Sequence, residues 1–372
     1  MNFLNQAYRA DKKDFWLDEQ YSLERTVHIS YTGLLSKKAQ SVEANPAPLD
    51  YIFTKIFDDI KQPVNSFGFS DKTYYRLWAN FVTVFSGFSI VCLFLYDILR
   101  SKYVLLIKIF QLVLLTFLPL TYLFRPMIYH YAAEVRPYAL WCALWFIAIG
   151  LCFSAQTKKG MLLIFLSLLG MTMTGSVFQI LAMGMAYFVV TWMQKGWKQA
   201  LLESVQIFTI PLLLVFFYAY PASYGDRTTV PIWIAWKQFL KLWTHETMII
   251  PMMLISIGLL HFSKKTQHMV IGPLSVLIVF LMGPAIFMIT RWRGYFFTER
   301  QYIYYDIHKA VFLLCLINFL PIYLERTKSF ENRIVVKIIS LALCYLFVPS
   351  KKNVNRFQEM IHNARLVLDK KE

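Results

Sequence analysis

Hydrophobic residues fall along this chain in long blocks separated by short polar links, and that pattern predicts an all-α, polytopic membrane protein. About ten stretches approach the roughly 20 apolar residues that a spanning helix requires. Their limits lie near 78–98, 104–124, 138–154, 160–172, 175–193, 200–221, 248–262, 269–290, 309–324 and 334–348. Residues 1–77 are mixed and too charged to span, and residues 349–372 form a basic C-terminal tail. Read as one helix, the pair 160–172 and 175–193 would run about 50 Å against a hydrocarbon core of roughly 30 Å. Read as a hairpin turning at Thr174-Gly175-Ser176, it sets Lys158-Lys159 and Lys195 with Lys198 on one side. The tendency of basic links to stay cytoplasmic favours the hairpin.

With that turn, Arg100 and Lys102, Lys158-Lys159, Lys195 and Lys198, Lys264-Lys265, and Arg326 and Lys328 share one face, the expected cytoplasmic one. The opposite face receives residues 1–77 as a small extracytoplasmic lobe, together with the links 125–137, 222–247 and 291–308. Parity also sends the basic tail there, against the charge rule. Within 222–247, Trp233, Trp236, Phe239, Leu240 and Trp243 fall on one helical arc, with Lys237, Gln238 and Lys241 opposite. That is the pattern of a helix resting along lipid headgroups.

Composition agrees with lipid as the solvent. The chain is 57% hydrophobic and 17% aromatic, with a mean hydropathy of +0.47, and in water this excess would stand as large exposed apolar patches. The net charge of +16 sits mostly in the links. It suits membrane orientation and phosphate-bearing lipids, and it forms no long stripe of the kind that tracks nucleic acid. Cys92, Cys142, Cys152, Cys315 and Cys344 all lie inside apolar stretches and read as small core residues. Met1 to Leu17 carries Arg9, Lys12 and Lys13 and lacks an apolar run, so no signal peptide is expected.

The candidate chemistry gathers on the expected outer face. Glu134-Val135-Arg136-Pro137-Tyr138 puts an acid and a base at the edge of an apolar stretch, where charge is costly unless satisfied. Asp18-Glu19 follows Phe15-Trp16-Leu17, and Glu43 opens Glu43-Ala44-Asn45-Pro46-Ala47-Pro48-Leu49-Asp50-Tyr51, a loop leading into a helix. The last outer loop holds Arg291, Arg293 and Arg300 among aromatics. Guanidinium groups there, with Arg125 and Arg136, suit bidentate contact with phosphate. The plainer roles are helix capping for Asp18, headgroup anchoring for the arginines and an internal ion pair for Glu134 with Arg136.

Taken in order, the acidic pair after an aromatic, the Glu-x-Asn-Pro-x-Pro-Leu stretch and Glu-x-Arg-Pro-Tyr resemble the dolichyl-phosphate-mannose–protein mannosyltransferase type. This is glycosyltransferase family 39, with bacterial relatives that include the lipid A aminoarabinose transferases. The Arg300-Gln301-Tyr302 region is similar to an Arg-Tyr stretch before a late helix in that family, and the likeness runs from about Trp16 to Leu324. The resemblance implies a GT-C helical bundle with its active site facing outward, and the compact chain without an Asn-x-Ser/Thr sequon points to a bacterial plasma membrane. It implies inverting transfer of a sugar from a polyprenyl-phosphate donor to the hydroxyl of a lipid, glycan or protein acceptor. It makes Asp18 the catalytic carboxylate, with Glu19, Glu134, Tyr138 and Glu43 in support and Arg136, Arg293 and Arg300 on the donor phosphate. No cofactor is called for, although the paired acids could hold a divalent cation. Two departures stand out: family members carry a helix before the acidic pair, and Thr172-Met173-Thr174-Gly175-Ser176 replaces a His-Tyr type of turn. The rival expectations are a transporter or flippase for polyprenyl-linked sugars and an inactive truncated relative.

Overall fold

The computed structural model describes residues 17–35, 47–61, 69–123, 125–132, 134–154, 159–219, 231–261, 263–292 and 304–326, with a few isolated positions near both termini. These residues form an all-helical membrane protein with no strand among them. In chain order the helices are α1 (Leu17–His28), α2 (Tyr31–Leu34), α3 (Pro48–Asp59), α4 (Asp71–Arg100), α5 (Leu105–Thr116), α6 (Leu118–Leu123), α7 (Pro126–Tyr131) and α8 (Pro137–Cys152). There follow α9 (Lys159–Gly170), α10 (Ser176–Lys195), α11 (Trp197–Leu214), α12 (Ile232–His245), α13 (Ile249–His261), α14 (Ile271–Leu281), α15 (Gly283–Trp292) and α16 (His308–Arg326).

Local chemistry explains many of the boundaries. Pro48, Pro126 and Pro137 each stand at a helix start, where the missing N–H costs nothing. Ser70 caps α4 through its side chain, with Asp71 in the first turn and Arg100 in the last, matching both ends of the helix dipole. Exposed apolar side chains such as Phe81, Phe85 and Phe88 stud the same helix. Lipid is the solvent that accommodates them.

Ten spans were expected, and the described helices supply fewer that qualify by length. Asp71–Arg100, Leu105–Leu123, Ser176–Lys195 and Trp197–Tyr218 are long and apolar enough to cross a bilayer, and two bent pairs bring the count to 6. The stretches 138–154, 160–172 and 309–324 form shorter helices, and 334–348 lies outside the described residues. At about 1.5 Å per residue, α8 and α9 fall short of a roughly 30 Å core. The helix α8 carries no polar stripe, and every one of its residues is buried. It packs along α4 and touches α9, α14 and α16 as well, so protein replaces lipid around it. Helices α8 and α4 come close where Gly150 meets Ile90, since a Cβ at Gly150 would lie 2.2 Å from the Ile90 side chain.

Two prolines each release a helical carbonyl, and in each case a distant side chain takes it up. Pro284 cannot donate to Phe280, and α14 and α15 meet at 50° beside it. The released Phe280 carbonyl accepts the Trp243 indole N–H at 3.0 Å. Pro321 inside α16 likewise releases the Ile317 carbonyl, which accepts Nε2 of Gln111 from α5 at 2.9 Å. The aromatic arc expected in 222–247 is thereby refined. Phe239 is buried, Trp236 stacks against it and Trp243 stacks on Phe280, whereas Trp233 stays exposed. The arc faces the bundle as well as the boundary. Cys142, Cys152 and Cys315 are buried as expected, but Cys92 is exposed on α4.

The hairpin at Gly175 has the expected consequence. Lys159 and Lys195, from opposite ends of that segment, converge on one carboxylate of α11: Glu203 lies 2.9 Å from the first and 3.0 Å from the second. Tyr187 and Gln199 complete its shell at 2.7 and 2.9 Å.

Candidate functional site

At the opposite end of the bundle, α1 and α3 lie over the first turns of α4 and the link into α8. Leu23, Tyr74, Tyr75 and Val135 make a small apolar cluster there, and it seats a charged pair. Arg76 grips Glu19 through both donors, Nε to Oε1 at 3.0 Å and Nη2 to Oε2 at 2.6 Å. The two side chains are 0% and 1% exposed. Arg76 Nη2 also donates to the Asp14 carbonyl at 2.9 Å, and its guanidinium lies over Phe15. Glu19 Oε1 accepts the Val135 backbone N–H at 2.8 Å.

That last bond joins two of the stretches expected to cooperate, the acidic pair and the Glu134–Arg136 link. Glu19 is thus held by a guanidinium and a backbone amide. Asp18 precedes it in the first turn of α1, and its side chain is outside the described residues. Glu134 is buried, with Oε1 3.6 Å from His130 Nε2. Arg136 Nη1 reaches Ser22 Oγ at 3.3 Å, and the guanidinium lies 5.8 Å from the Tyr138 ring. Tyr138 is buried against Tyr131. The link turns its acid toward His130 and its base toward Ser22. Glu43, Arg293 and Arg300 lie outside the described residues.

The α3 start supports the site from below. Leu49 N–H donates to the Met171 carbonyl at 3.1 Å, tying the proline-bounded entry to the turn before α10. Asp50, in the first turn of α3, is buried, where the helix N-terminus favours a carboxylate. Farther out, the Lys72 ammonium bonds the Asp14 carboxylate and holds it below the usual carboxylate range, by hydrogen bond first and by charge second.

Sequence reasoning missed a second polar knot at the same end. Arg125 donates to the Asp306 carboxylate at 3.0 Å and to its carbonyl at 3.1 Å, and the other Asp306 oxygen accepts Met127 N–H at 2.7 Å. Glu246 lies 3.6 Å from Arg125 and 4.0 Å from His308 Nδ1. The short helix α7 links this knot to the Glu134 link. The signal was present as Arg125-Pro126 and Asp306-Ile307-His308, ionisable residues at the edges of apolar stretches. Among the described residues, no three His, Cys, Asp or Glu side chains gather as metal ligands.

Fold and site together define a helical membrane protein with buried, hydrogen-bonded charge at both ends of its bundle, Glu203 at one and Glu19 and Asp306 at the other. No protein-family model matches the chain, and the search of curated proteins gives no match.

Proposed function

We propose that the protein is a GT-C-type glycosyltransferase that moves a sugar from a polyprenyl-phosphate donor to an acceptor hydroxyl. The observation that carries this reading is the Glu19 to Val135 hydrogen bond. It brings the acidic pair against the Glu134–Arg136 link, which supports a base and a phosphate-binding cation acting together at one bundle end. In this reading α8, α9, α16 and the stretch 334–348 complete ten crossings. The end bearing Glu19 then faces outward from a bacterial plasma membrane.

Asp18 takes the proton from the acceptor hydroxyl as that oxygen bonds to the anomeric carbon. The bond from that carbon to the donor phosphate breaks on the opposite face, and its electron pair leaves on the lipid phosphate, giving inversion. Arg136, with Arg293 and Arg300, neutralises the developing charge. Glu134 and Glu43 support the acid cluster, and Tyr138 forms an aromatic wall. A transporter would place ionisable groups in broken helices at mid-bilayer. Here the described charge knots stand at helix ends.

The test is transfer of labelled sugar from a synthetic polyprenyl-phosphate donor in proteoliposomes. Asp18→Asn keeps size and hydrogen bonding and should lower turnover by roughly 10²–10⁴ with unchanged extraction. Near-normal turnover removes Asp18 from the mechanism. Donor crossing the bilayer without release of lipid phosphate makes the protein a flippase.

A further inference from the structure

The end of the bundle far from Glu19 contains a cavity of about 650 Å³ between α4, α5 and α16 and the segment 265–269. Its depth is lined by Phe94, Ile317 and other apolar side chains, and its rim by Arg100, Lys102 and Lys265. All three cations are exposed, and against them the lining offers the one carboxylate of Asp97. Among the described residues none of the three cations is in an ion pair. Arg100 rests over the Tyr96 ring, 4.6 Å from its centre, which holds the guanidinium at the rim.

A second feature lies in the wall. Gln111 is 5% exposed, and its Nε2 is fixed by the Ile317 carbonyl that Pro321 releases. This leaves Oε1 as a buried acceptor with no hydrogen-bond donor. A buried acceptor without a donor is disfavoured, so a ligand hydroxyl delivered there is favoured. An apolar depth, a cationic rim and a waiting acceptor describe one chemistry: acyl chain, phosphate and hydroxyl in a single molecule.

We propose that this cavity binds an anionic phospholipid with a hydroxylated headgroup, phosphate at Arg100, Lys102 and Lys265. The site is independent of the transfer reaction. It is a lipid-recognition site in which neutral zwitterionic lipids are disfavoured, because their ammonium group meets the same cations.

The experiment is native mass spectrometry of the full chain in detergent, titrated with phosphatidylglycerol or phosphatidylcholine. One phosphatidylglycerol should remain bound at collision energies that strip phosphatidylcholine. The pair Lys102→Glu with Lys265→Glu should weaken that binding at least about tenfold, and Lys265→Gln alone by a smaller factor, in line with about 1 kcal/mol per basic residue near a lipid phosphate. Both substitutions are at exposed positions, and an unchanged elution volume on size exclusion verifies the fold. Equal retention of the two lipids overturns the proposal, as does undiminished phosphatidylglycerol binding in the reversed pair. Displacement of the lipid by millimolar inorganic phosphate also overturns it, since the site would then read a free anion.

Discussion

Glu19 and Glu203 are both buried carboxylates inside an apolar bundle, yet they are held in opposite ways. Glu19 faces one guanidinium that is as buried as itself, 57 residues away in sequence. Glu203 faces two ammonium groups whose side chains are 47% and 48% exposed, with Tyr187 and Gln199 beside it. A planar fork fixes an angle as well as a distance, whereas two flexible ammoniums fix only proximity. The first arrangement holds neighbouring residues in register, which is what a site beside it needs. The second ties two hairpins together while leaving the cations in solvent.

The comparison is broken most severely by removing the fork. Arg76→Met leaves Glu19 buried without its guanidinium, and losing one partner of a buried pair costs about 3–5 kcal/mol. Denaturant unfolding in detergent should register that loss, and Glu19→Gln in the same chain should recover much of it. A loss below about 1 kcal/mol would mean that water reaches the pair.

A cycle at the other carboxylate sharpens the contrast. Lys159→Ala or Lys195→Ala alone should cost about 1 kcal/mol or less, because the second lysine remains and both are partly solvated. The double variant should cost more than the sum, since Glu203 then loses both cations. Strict additivity in the same unfolding assay would show that the two lysines act on it independently.

The smallest effect belongs to the exposed pair beside Glu19. Lys72 depresses the folded-state pKa of Asp14 from its usual 3.8. The resulting stabilisation is present above that value and is lost as pH falls through the folded-state pKa. Asp14 is 91% exposed, so high salt should erase the difference between wild type and Lys72→Ala. A difference that survives molar salt would indicate a packing role for Lys72.

Much of the bundle was legible because apolar blocks and basic links report the solvent on each side of them. The turn at Gly175 followed from segment length and lysine positions, and Lys159 and Lys195 do converge on Glu203. Helix length was less legible: α8 reads as a span by composition, but what surrounds it is protein. The contacts that define the site were hidden for a physical reason. Gln111 serves a carbonyl 206 residues away, Arg76 reads as an ordinary polar residue before a span, and Asp306 meets Arg125 only after 181 residues of chain have packed. Local periodicity carries no information about such pairings. The joining of the Asp18-Glu19 and Glu134–Arg136 stretches was anticipated, but the arginine that secures Glu19 was not.

The all-round burial of α8 bears on how the protein is made. When this segment leaves the ribosome, α9 to α16 have yet to be synthesised, so acyl chains must be its first neighbours on the sides those helices later occupy. Its uniform apolarity lets it wait there and then exchange lipid for protein. A polar substitution such as Ala143→Ser should therefore spare membrane insertion and act later, at the step where the other helices close around it, and would be read as lost assembly yield.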